Sequence, residues 1–163
     1  MAGDSFLKID GIPGESTDEK HKDWIEITSY SSGVAQMAAG ERSTGGAATG
    51  GRCSHQDISI GKAMDKASPT LNLYCCQGKH IPKVVIELCR ATEEKTKYME
   101  YKMEDVIISS ISVGGSGGGS LPTESVTFNY GKLTWNYIQT DHKTGEVKGN
   151  VEKFWSLIDN KGG

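Results

Sequence analysis

The chain has 163 residues, enough for one domain with its own core, and 36% of them are hydrophobic. A net charge of −3 offers no electrostatic attraction to nucleic-acid phosphates or anionic lipids, and no apolar run approaches the ~20 residues of a membrane-spanning helix. We therefore expect no nucleic-acid partner and no membrane insertion. The first residues lack the basic and apolar regions of a signal peptide, so we expect synthesis in the cytoplasm without one.

Short segments rich in β-branched and aromatic residues recur along the chain and predict an all-β fold. Ile58 and Ile60 share one face of their segment, and Val84, Ile86 and Leu88 share one face of another, as in half-buried strands. The predicted strands span 6–10, 24–30, 55–60, 83–88, 98–113, 126–137 and 154–158.

The segment 98–113 is the longest of the predicted strands. The face of Met99 continues to Ile107 and Val113, while the opposite face changes from charged at Glu100 to apolar at Val106. This pattern predicts a strand that begins half-exposed and ends covered on both faces, like a barrel wall that meets a neighbour.

The apolar phase changes within 126–137. Val126 and Phe128 occupy even positions, whereas Leu133 and Trp135 occupy odd ones, and Gly131 lies between them. A one-residue shift moves side chains to the opposite face of a strand, so we predict a bulge or bend near Gly131 that lets one strand serve two sheets.

One short helix is predicted beside the strands. Ser68 can cap its start, Pro69 suits its first position, and Gly78 follows its end, with Leu71 and Tyr74 at helical spacing. A helix this short depends on packing against the sheets.

Two segments have low complexity. Residues 33–51 are almost entirely Gly, Ala, Ser and Thr, apart from a few larger side chains, and long loops of this kind are commonly functional or disordered. Residues 114–120 consist of Gly and Ser but lack the Gly-Lys-Ser/Thr ending of a phosphate-binding loop, which favours a flexible hairpin tip. The charged stretch 93–97 is typical of a solvated turn between two strands.

The sequence offers little support for chemistry. Cys53 and His55 share a strand face but have no recognisable orienting group or oxyanion motif, so we expect no catalysis there. The four histidines are scattered without paired-cysteine spacing, so we expect no zinc site and no cofactor. The four cysteines, including the adjacent Cys75 and Cys76, are expected to be buried reduced thiols.

Three stretches share their order and spacing with one protein family. They are FLKIDGIPGES at 6–16 with His21 and Lys22 after it, DISI at 57–60 through Ser68 and Pro69 to GKH at 78–80, and ISSISVGGSGG at 108–118 followed by PTESV at 122–126. In this pattern the chain resembles the hemolysin-coregulated proteins (Hcp), the inner-tube subunits of type VI secretion systems.

The resemblance implies one Hcp-like domain over 1–163, a compact β-barrel of two packed antiparallel sheets with one short α-helix alongside and a long loop at 33–51. It implies homohexameric rings that stack into a hollow tube, with type VI sheath and spike proteins and small effector proteins as partners. It further implies a non-enzymatic subunit that assembles in the cytoplasm, is secreted through the type VI system and carries or chaperones effectors in its lumen.

Two sets of residues follow as hypotheses for these contacts. The larger side chains of the long loop are assigned to ring stacking, and three serines are assigned to a weakly binding lumen surface for effectors. The stacking residues are Gln36, Met37, Glu41 and Arg42, and the lumen residues are Ser110, Ser112 and Ser116.

Two other classes of protein compete with this interpretation. The first is a secreted β-sandwich ligand-binding module, which exposed aromatic residues around a cleft would favour. The second is a small hydrolase with Cys53 or another cysteine as its nucleophile, which activity in a monomer would favour. Neither accounts for a family pattern over the whole chain.

Overall fold

The computed structural model describes residues 3–36 and 52–163, which form twelve strands and one helix. In chain order these are β1 Gly3–Ile9, β2 Ile25–Ile27, β3 Ser29–Ser31, β4 Val34–Ala35, β5 Ser54–His55, β6 Ile58–Ala63, α1 Ser68–Gln77, β7 Ile81–Arg90, β8 Lys97–Gly114, β9 Thr123–Asn129, β10 Lys132–Thr140, β11 Val147–Ser156 and β12 Lys161–Gly162.

Two antiparallel sheets share strand β8 and form the barrel. The first sheet has the order β12-β11-β10-β8-β7-β1-β2, and the second has the order β3-β6-β9-β8, while β4 and β5 pair separately. The prediction of an all-β barrel of two packed sheets with one short helix is confirmed.

Two neighbouring stretches pass together from one sheet to the other. Strand β8 pairs with β10 as far as Glu104, with β7 as far as Val106 and with β9 from Ile107 onward. The bend predicted at Gly131 is confirmed, because β9 ends and β10 begins on either side of it. The Gly131 amide donates to the carbonyls of Glu104 and Asp105, both at 3.0 Å. A Cβ at Gly131 would lie only 2.9 Å from the Asp105 Cβ, so glycine fits this crossing.

On the opposite side, the predicted strand 24–30 is divided at Thr28. Strand β2 pairs with β1 in the first sheet, whereas β3 pairs with β6 in the second. The Thr28 amide donates to the Gly61 carbonyl at 2.8 Å, which joins the two sheets. Residues 55–60 are also divided, since β5 pairs with β4 while β6 pairs with β3 and β9 in the second sheet.

The core lies between the sheets. Ile58, Ile60, Val84, Ile86 and Leu88 are buried as their alternation predicted. On the outer side of the first sheet, the segment 11–24 packs over Phe6, which is also buried. The remaining large buried side chains include Leu7, Ile25, Leu71, Ile81, Met103, Ile108, Phe128 and Leu133.

The prediction for the end of β8 is wrong. Ile107 is exposed and Val113 is 61% exposed, whereas Val106 and Ile108 point into the core. The φ of 54° at Asp105 interrupts the strand, and the register between β8 and β9 shifts again between Ile108 and Ser110. These irregularities change the alternation that the sequence pattern had extended through 98–113.

The C-terminal strand also differs from its prediction. Strand β11 begins at Val147 and ends at Ser156, and the short β12 follows it. From Val147 to Lys153 every residue of β11 is exposed, so no apolar alternation marks this part of the strand.

Helix α1 ends where it was predicted to end, but its N-cap differs from the predicted one. Gly78 ends it with φ 58°, and Pro69 stands in its first turn. The N-cap is Ala67, and no side chain caps the helix. Ser68 is buried and its hydroxyl joins a polar group inside the protein instead, donating to Glu124 Oε2 at 3.0 Å.

Two of the connections between strands were predicted from the sequence. Residues 115–122 link β8 to β9 and residues 91–96 link β7 to β8, and both are hairpin connections as predicted. Val34 of β4 pairs with His55 of β5, so the two described segments on either side of residues 37–51 lie side by side. Residues 37–51 lie outside the described residues.

Candidate functional surfaces

The outer face of the second sheet consists mainly of small hydroxyl side chains. Its register places Ser112, Ser125, Gly61 and Ser29 in one row across four strands. We call this surface the hydroxyl face and define it by Ser29, Ser31, Ser59, Ser110, Ser112, Ser125 and Thr127.

Hydrogen bonds order one end of the hydroxyl face. At the β8 irregularity, the hydroxyls of Ser109 and Ser110 lie 2.7 Å and 2.6 Å from Thr127 Oγ1. Ser109 also donates to Asp57 Oδ2 at 2.6 Å, and Asn129 Nδ2 donates to Asp57 Oδ1 at 2.9 Å. These bonds hold the exposed oxygens in defined positions.

A groove of about 640 Å³ runs along the other end of this face. Ser29, Ser31, Ser59, Ser112 and Ser125 are among the residues that line it. Neutral hydroxyl groups both donate and accept hydrogen bonds, so such a groove suits weak contacts with varied polypeptide surfaces.

The same strands bury charge on their inner side. Lys62 Nζ lies 3.1 Å from Glu124 Oε2 and 2.9 Å from Asp65 Oδ1, and the side chains of Lys62 and Glu124 are fully enclosed. Ser68 completes this group, which therefore connects the start of α1 to β6 and β9.

The structure brings two of the three predicted lumen serines onto the hydroxyl face. Ser110 and Ser112 are exposed on β8, and Ser116 is exposed in the following connection. Ser59, Ser125 and the other members contributed by β3, β6 and β9 were not predicted from the sequence. Their signal was the alternation of hydroxyl residues with Ile58, Ile60, Val126 and Phe128.

Of the four predicted stacking residues, Gln36 lies within the described part of the chain. Gln36 is exposed directly after β4. Met37, Glu41 and Arg42 lie outside the described residues.

The outer face of the first sheet is charged. We call it the charged face and define it by Asp4, Asp18, His21, Glu87, Lys95, Lys97, Glu100 and Lys102. Lys95 and Lys97 come from the turn that was predicted to be solvated, but both make ion pairs with neighbouring strands or loops.

Glu100 is the most enclosed acid of the charged face. Lys97 Nζ lies 2.6 Å from Glu100 Oε2, and Lys102 Nζ lies 3.0 Å from Glu100 Oε1. Burial by itself raises the pKa of Glu100, but the hydrogen bonds from Lys97 and Lys102 outweigh it and leave the pKa below its usual value.

Cys53 and His55 have separate surroundings. Cys53 Sγ lies 3.8 Å from the Ser54 carbonyl, whereas His55 Nδ1 lies 3.3 Å from the Tyr130 hydroxyl. Burial, followed by the nearby Asp57, raises the pKa of Tyr130 to about 12. The expectation of buried cysteines is confirmed for Cys89 and wrong for Cys76, which is exposed on α1.

Among the described residues, no helix has the length and apolar content needed to cross a membrane.

Comparisons with known proteins agree over almost the whole chain. Residues 6–137 match a family described as "Type VI secretion system effector, Hcp". Protein hcp1 of Pseudomonas aeruginosa is 35% identical over 161 residues, which cover 98% of each chain.

Solved structures give the same answer. A type six secretion system protein matches with a TM-score of 0.93 and 35% identity, covering 99% of this chain and 100% of that one. Hcp1 from Salmonella typhimurium matches with a TM-score of 0.80 and 32% identity, covering 99% of each chain. A type VI secretion system effector from Yersinia pestis matches with a TM-score of 0.75 and 33% identity, covering 94% of this chain and 99% of that one. This chain therefore belongs to the Hcp family of type VI secretion proteins.

Proposed function

We propose that this chain forms hexameric rings that stack into a hollow type VI secretion tube, a structural and non-enzymatic role. Membership of the Hcp family supports the proposal. The structural observation that carries it is the exposed edge of strand β11, which is unpaired among the described residues before Phe154. In the tube, the rings contact sheath and spike proteins and hold small effectors in the lumen.

Strand β11 has the features of an incomplete interface. Val147 and Val151 are 62% and 60% exposed, and Tyr137, directly opposite Val151 on β10, is 45% exposed. Within the described residues, no strand pairs with the outer edge of β11 before Phe154. Open edges with apolar side chains tend to pair with other chains.

A second copy of this chain is the proposed occupant of the β11 surface. Contacts between two different surfaces of identical subunits close into a ring when the rotation between subunits closes. Each ring then covers β11 of every subunit, and no exposed copy of this edge remains.

The first test is the mass of the purified protein by light scattering, with electron microscopy of the same peak. We expect about six subunits per particle and hollow rings. Val151→Lys is expected to release subunits, because it places a charge in the apolar contact. The control Leu73→Lys, at an exposed side chain of α1, is expected to keep the ring mass. A wild-type monomer at every accessible concentration contradicts ring assembly, and intact Val151→Lys rings contradict this interface.

Ring stacking is assigned to Gln36, Met37, Glu41 and Arg42. Charge reversal by Arg42→Asp is expected to abolish tubes in electron micrographs while single rings keep their mass. Lys66→Asp, the same kind of charge change at an exposed residue before α1, serves as the control. Tubes that form unchanged from Arg42→Asp protein rule out this role for Arg42.

Effector contact is assigned to Ser110, Ser112 and Ser116, and the neutral hydroxyl face supports it. Replacing all three by tryptophan is expected to abolish co-purification of a cognate effector, because bulky indole groups cover the exposed serines and, at Ser112, enter the groove. Replacement by alanine keeps the shape and is the matched control. Unchanged effector binding by the tryptophan variant, with rings intact, excludes these serines from the contact.

A further inference from the structure

We propose that His21, Glu87 and Cys89 form a binding site for a borderline divalent transition metal ion, with Zn²⁺ as the best match. The site lies on the charged face, where residues 11–24 cover strand β7. Glu87 and Cys89 are two residues apart on β7 and point outward together, and His21 reaches them from the covering segment.

The three ligand atoms already lie close together. His21 Nε2 is 2.7 Å from Glu87 Oε2 and 3.8 Å from Cys89 Sγ, and all three atoms lie within 4.8 Å of one another. Tetrahedral Zn²⁺ bonds separate its nitrogen and oxygen ligands by about 3.4 Å and its nitrogen and sulfur ligands by about 3.6 Å. A small outward movement of the Glu87 carboxylate therefore admits the ion.

The second nitrogen of His21 and the second oxygen of Glu87 are each held by a residue of opposite charge type, an acid for the histidine and a lysine for the glutamate. Asp18 Oδ2 lies 2.7 Å from His21 Nδ1, and Lys97 Nζ lies 3.2 Å from Glu87 Oε1. With Nδ1 donating to Asp18, Nε2 is the nitrogen that faces Glu87 and Cys89. A carboxylate behind a ligating histidine is a recurrent feature of zinc sites.

Contacts with two aromatic side chains fix the orientation of the His21 imidazole. Phe6 stacks on His21 with centroids 4.1 Å apart and planes inclined by 5°. Trp24 meets the same ring edge-on at 4.8 Å. The histidine ligand is therefore oriented before any ion arrives, which lowers the cost of binding.

Charge and protons balance in the bound state. The ion replaces the proton between His21 and Glu87 and the thiol proton of Cys89, and both protons leave to solvent. One neutral imidazole, one carboxylate and one thiolate then neutralise a divalent ion, so no net charge is added to a mostly buried site.

A nucleophilic role fits these residues less well. The order Cys89, His21, Asp18 is that of a catalytic triad, but Cys89 is fully buried and Glu87 also occupies the His21 nitrogen that would face the thiol. Burial, followed by Glu87 and Asp18, raises the pKa of Cys89 to about 11, whereas reactive thiols have lowered values. A bound metal ion deprotonates a thiol despite such surroundings.

A cavity of about 460 Å³ gives access to the site. His21, Glu87, Lys97 and Val147 are among its lining residues. It leaves room for a water molecule as the fourth ligand, since the protein supplies three. All three ligands come from one chain, so their arrangement does not require a second subunit, whereas Val147 at the cavity also belongs to the proposed ring contact.

The three ligands are far apart in the sequence, so no local motif indicates the cluster. His21 is 66 residues from Glu87 and 68 residues from Cys89, so no paired motif marks it. The sequence alone therefore predicts no zinc site, and only the folded chain brings the three ligands together.

Titration of the full-length, reduced protein with Co²⁺ tests the proposal. We expect one equivalent to bind per subunit, with a thiolate-to-cobalt charge-transfer band in the near ultraviolet and tetrahedral bands in the visible, all removed by Zn²⁺. Wild-type protein that shows no charge-transfer band with excess Co²⁺ overturns the proposal.

Variants assign the ligands. Cys89→Ser is expected to abolish the charge-transfer band, whereas Cys76→Ser, at the exposed cysteine, is expected to keep it. Asp18→Asn is expected to weaken Zn²⁺ binding about 10- to 100-fold without loss of the band at saturation. A band that persists in Cys89→Ser overturns the proposal. If Cys89→Ser protein does not fold, X-ray absorption of the Zn²⁺-loaded wild type replaces this test, and a shell without sulfur is the contrary result.

Discussion

The first sheet turns a charged face outward, whereas the second sheet turns outward a face of neutral hydroxyl groups. On the charged face, acids and bases neutralise one another at short range, as in the Lys97–Glu100–Lys102 group. On the hydroxyl face, the strands β6 and β9 send their charges inward to the Lys62–Glu124 pair instead. A neutral, exposed face imposes little selectivity on what it touches, while a neutralised charged face stabilises its own subunit.

The largest expected effect lies beneath the hydroxyl face. Lys62→Ala leaves the buried Glu124 carboxylate without its cation and is expected to lower the free energy of unfolding by about 3–5 kcal/mol in urea titrations. The double variant Lys62→Met/Glu124→Leu is expected to recover part of that loss, since neither charge of the enclosed pair remains. Asp65, whose side chain is 11% exposed, then keeps its hydrogen bond from the Ala67 amide but loses Lys62.

Ser59→Ala is the matched control on the outward side of the same strand. It is expected to change the free energy of unfolding by less than about 0.5 kcal/mol. A Lys62→Ala loss as small as that of the control contradicts the buried pair.

The charged face is expected to show an intermediate, pH-dependent effect. Because the folded-state pKa of Glu100 lies below its ordinary value, its ion pairs contribute stability above the unfolded-state pKa, and this contribution is lost as the pH falls through the folded-state value. At neutral pH, Glu100→Gln is expected to cost about 1–2 kcal/mol, reduced because Lys97 and Lys102 are each about one-third exposed.

Urea denaturation over a series of pH values measures this difference. The wild-type and Glu100→Gln curves are expected to converge at acidic pH. Glu104→Gln, whose pair with Lys132 is exposed at both ends, is the control and is expected to change stability by less than about 0.5 kcal/mol. A Glu100→Gln difference that is constant with pH argues against the ion pairs.

The smallest expected effect belongs to the ordered end of the hydroxyl face. Thr127→Val removes the oxygen that Ser109 and Ser110 both contact, at an expected cost of about 1 kcal/mol measured by thermal unfolding. Thr123→Val, on the same strand but without a hydroxyl hydrogen bond among the described residues, is expected to be neutral. Equal melting temperatures for the two variants contradict an energetic role for this cluster.

Local signals were sufficient for several elements of the fold. Pro69 and Gly78 marked the helix, because their backbone preferences act within one turn. The phase change around Gly131 marked the sheet crossing, because a face change on one strand needs an irregularity nearby. The ordered family pattern then predicted the barrel and the Hcp relationship.

Other features depended on residues far apart in the chain. The sequence alone determined a β-rich barrel with one short helix and placed Ser110 and Ser112 on one strand. Only the tertiary structure decided that Ser68 binds Glu124 rather than capping its helix, that β2 and β3 belong to different sheets, and that His21 meets Glu87 and Cys89. Those contacts form between segments whose separation in sequence leaves no periodic signal, since sheet register and the path of the segment 11–24 bring them together.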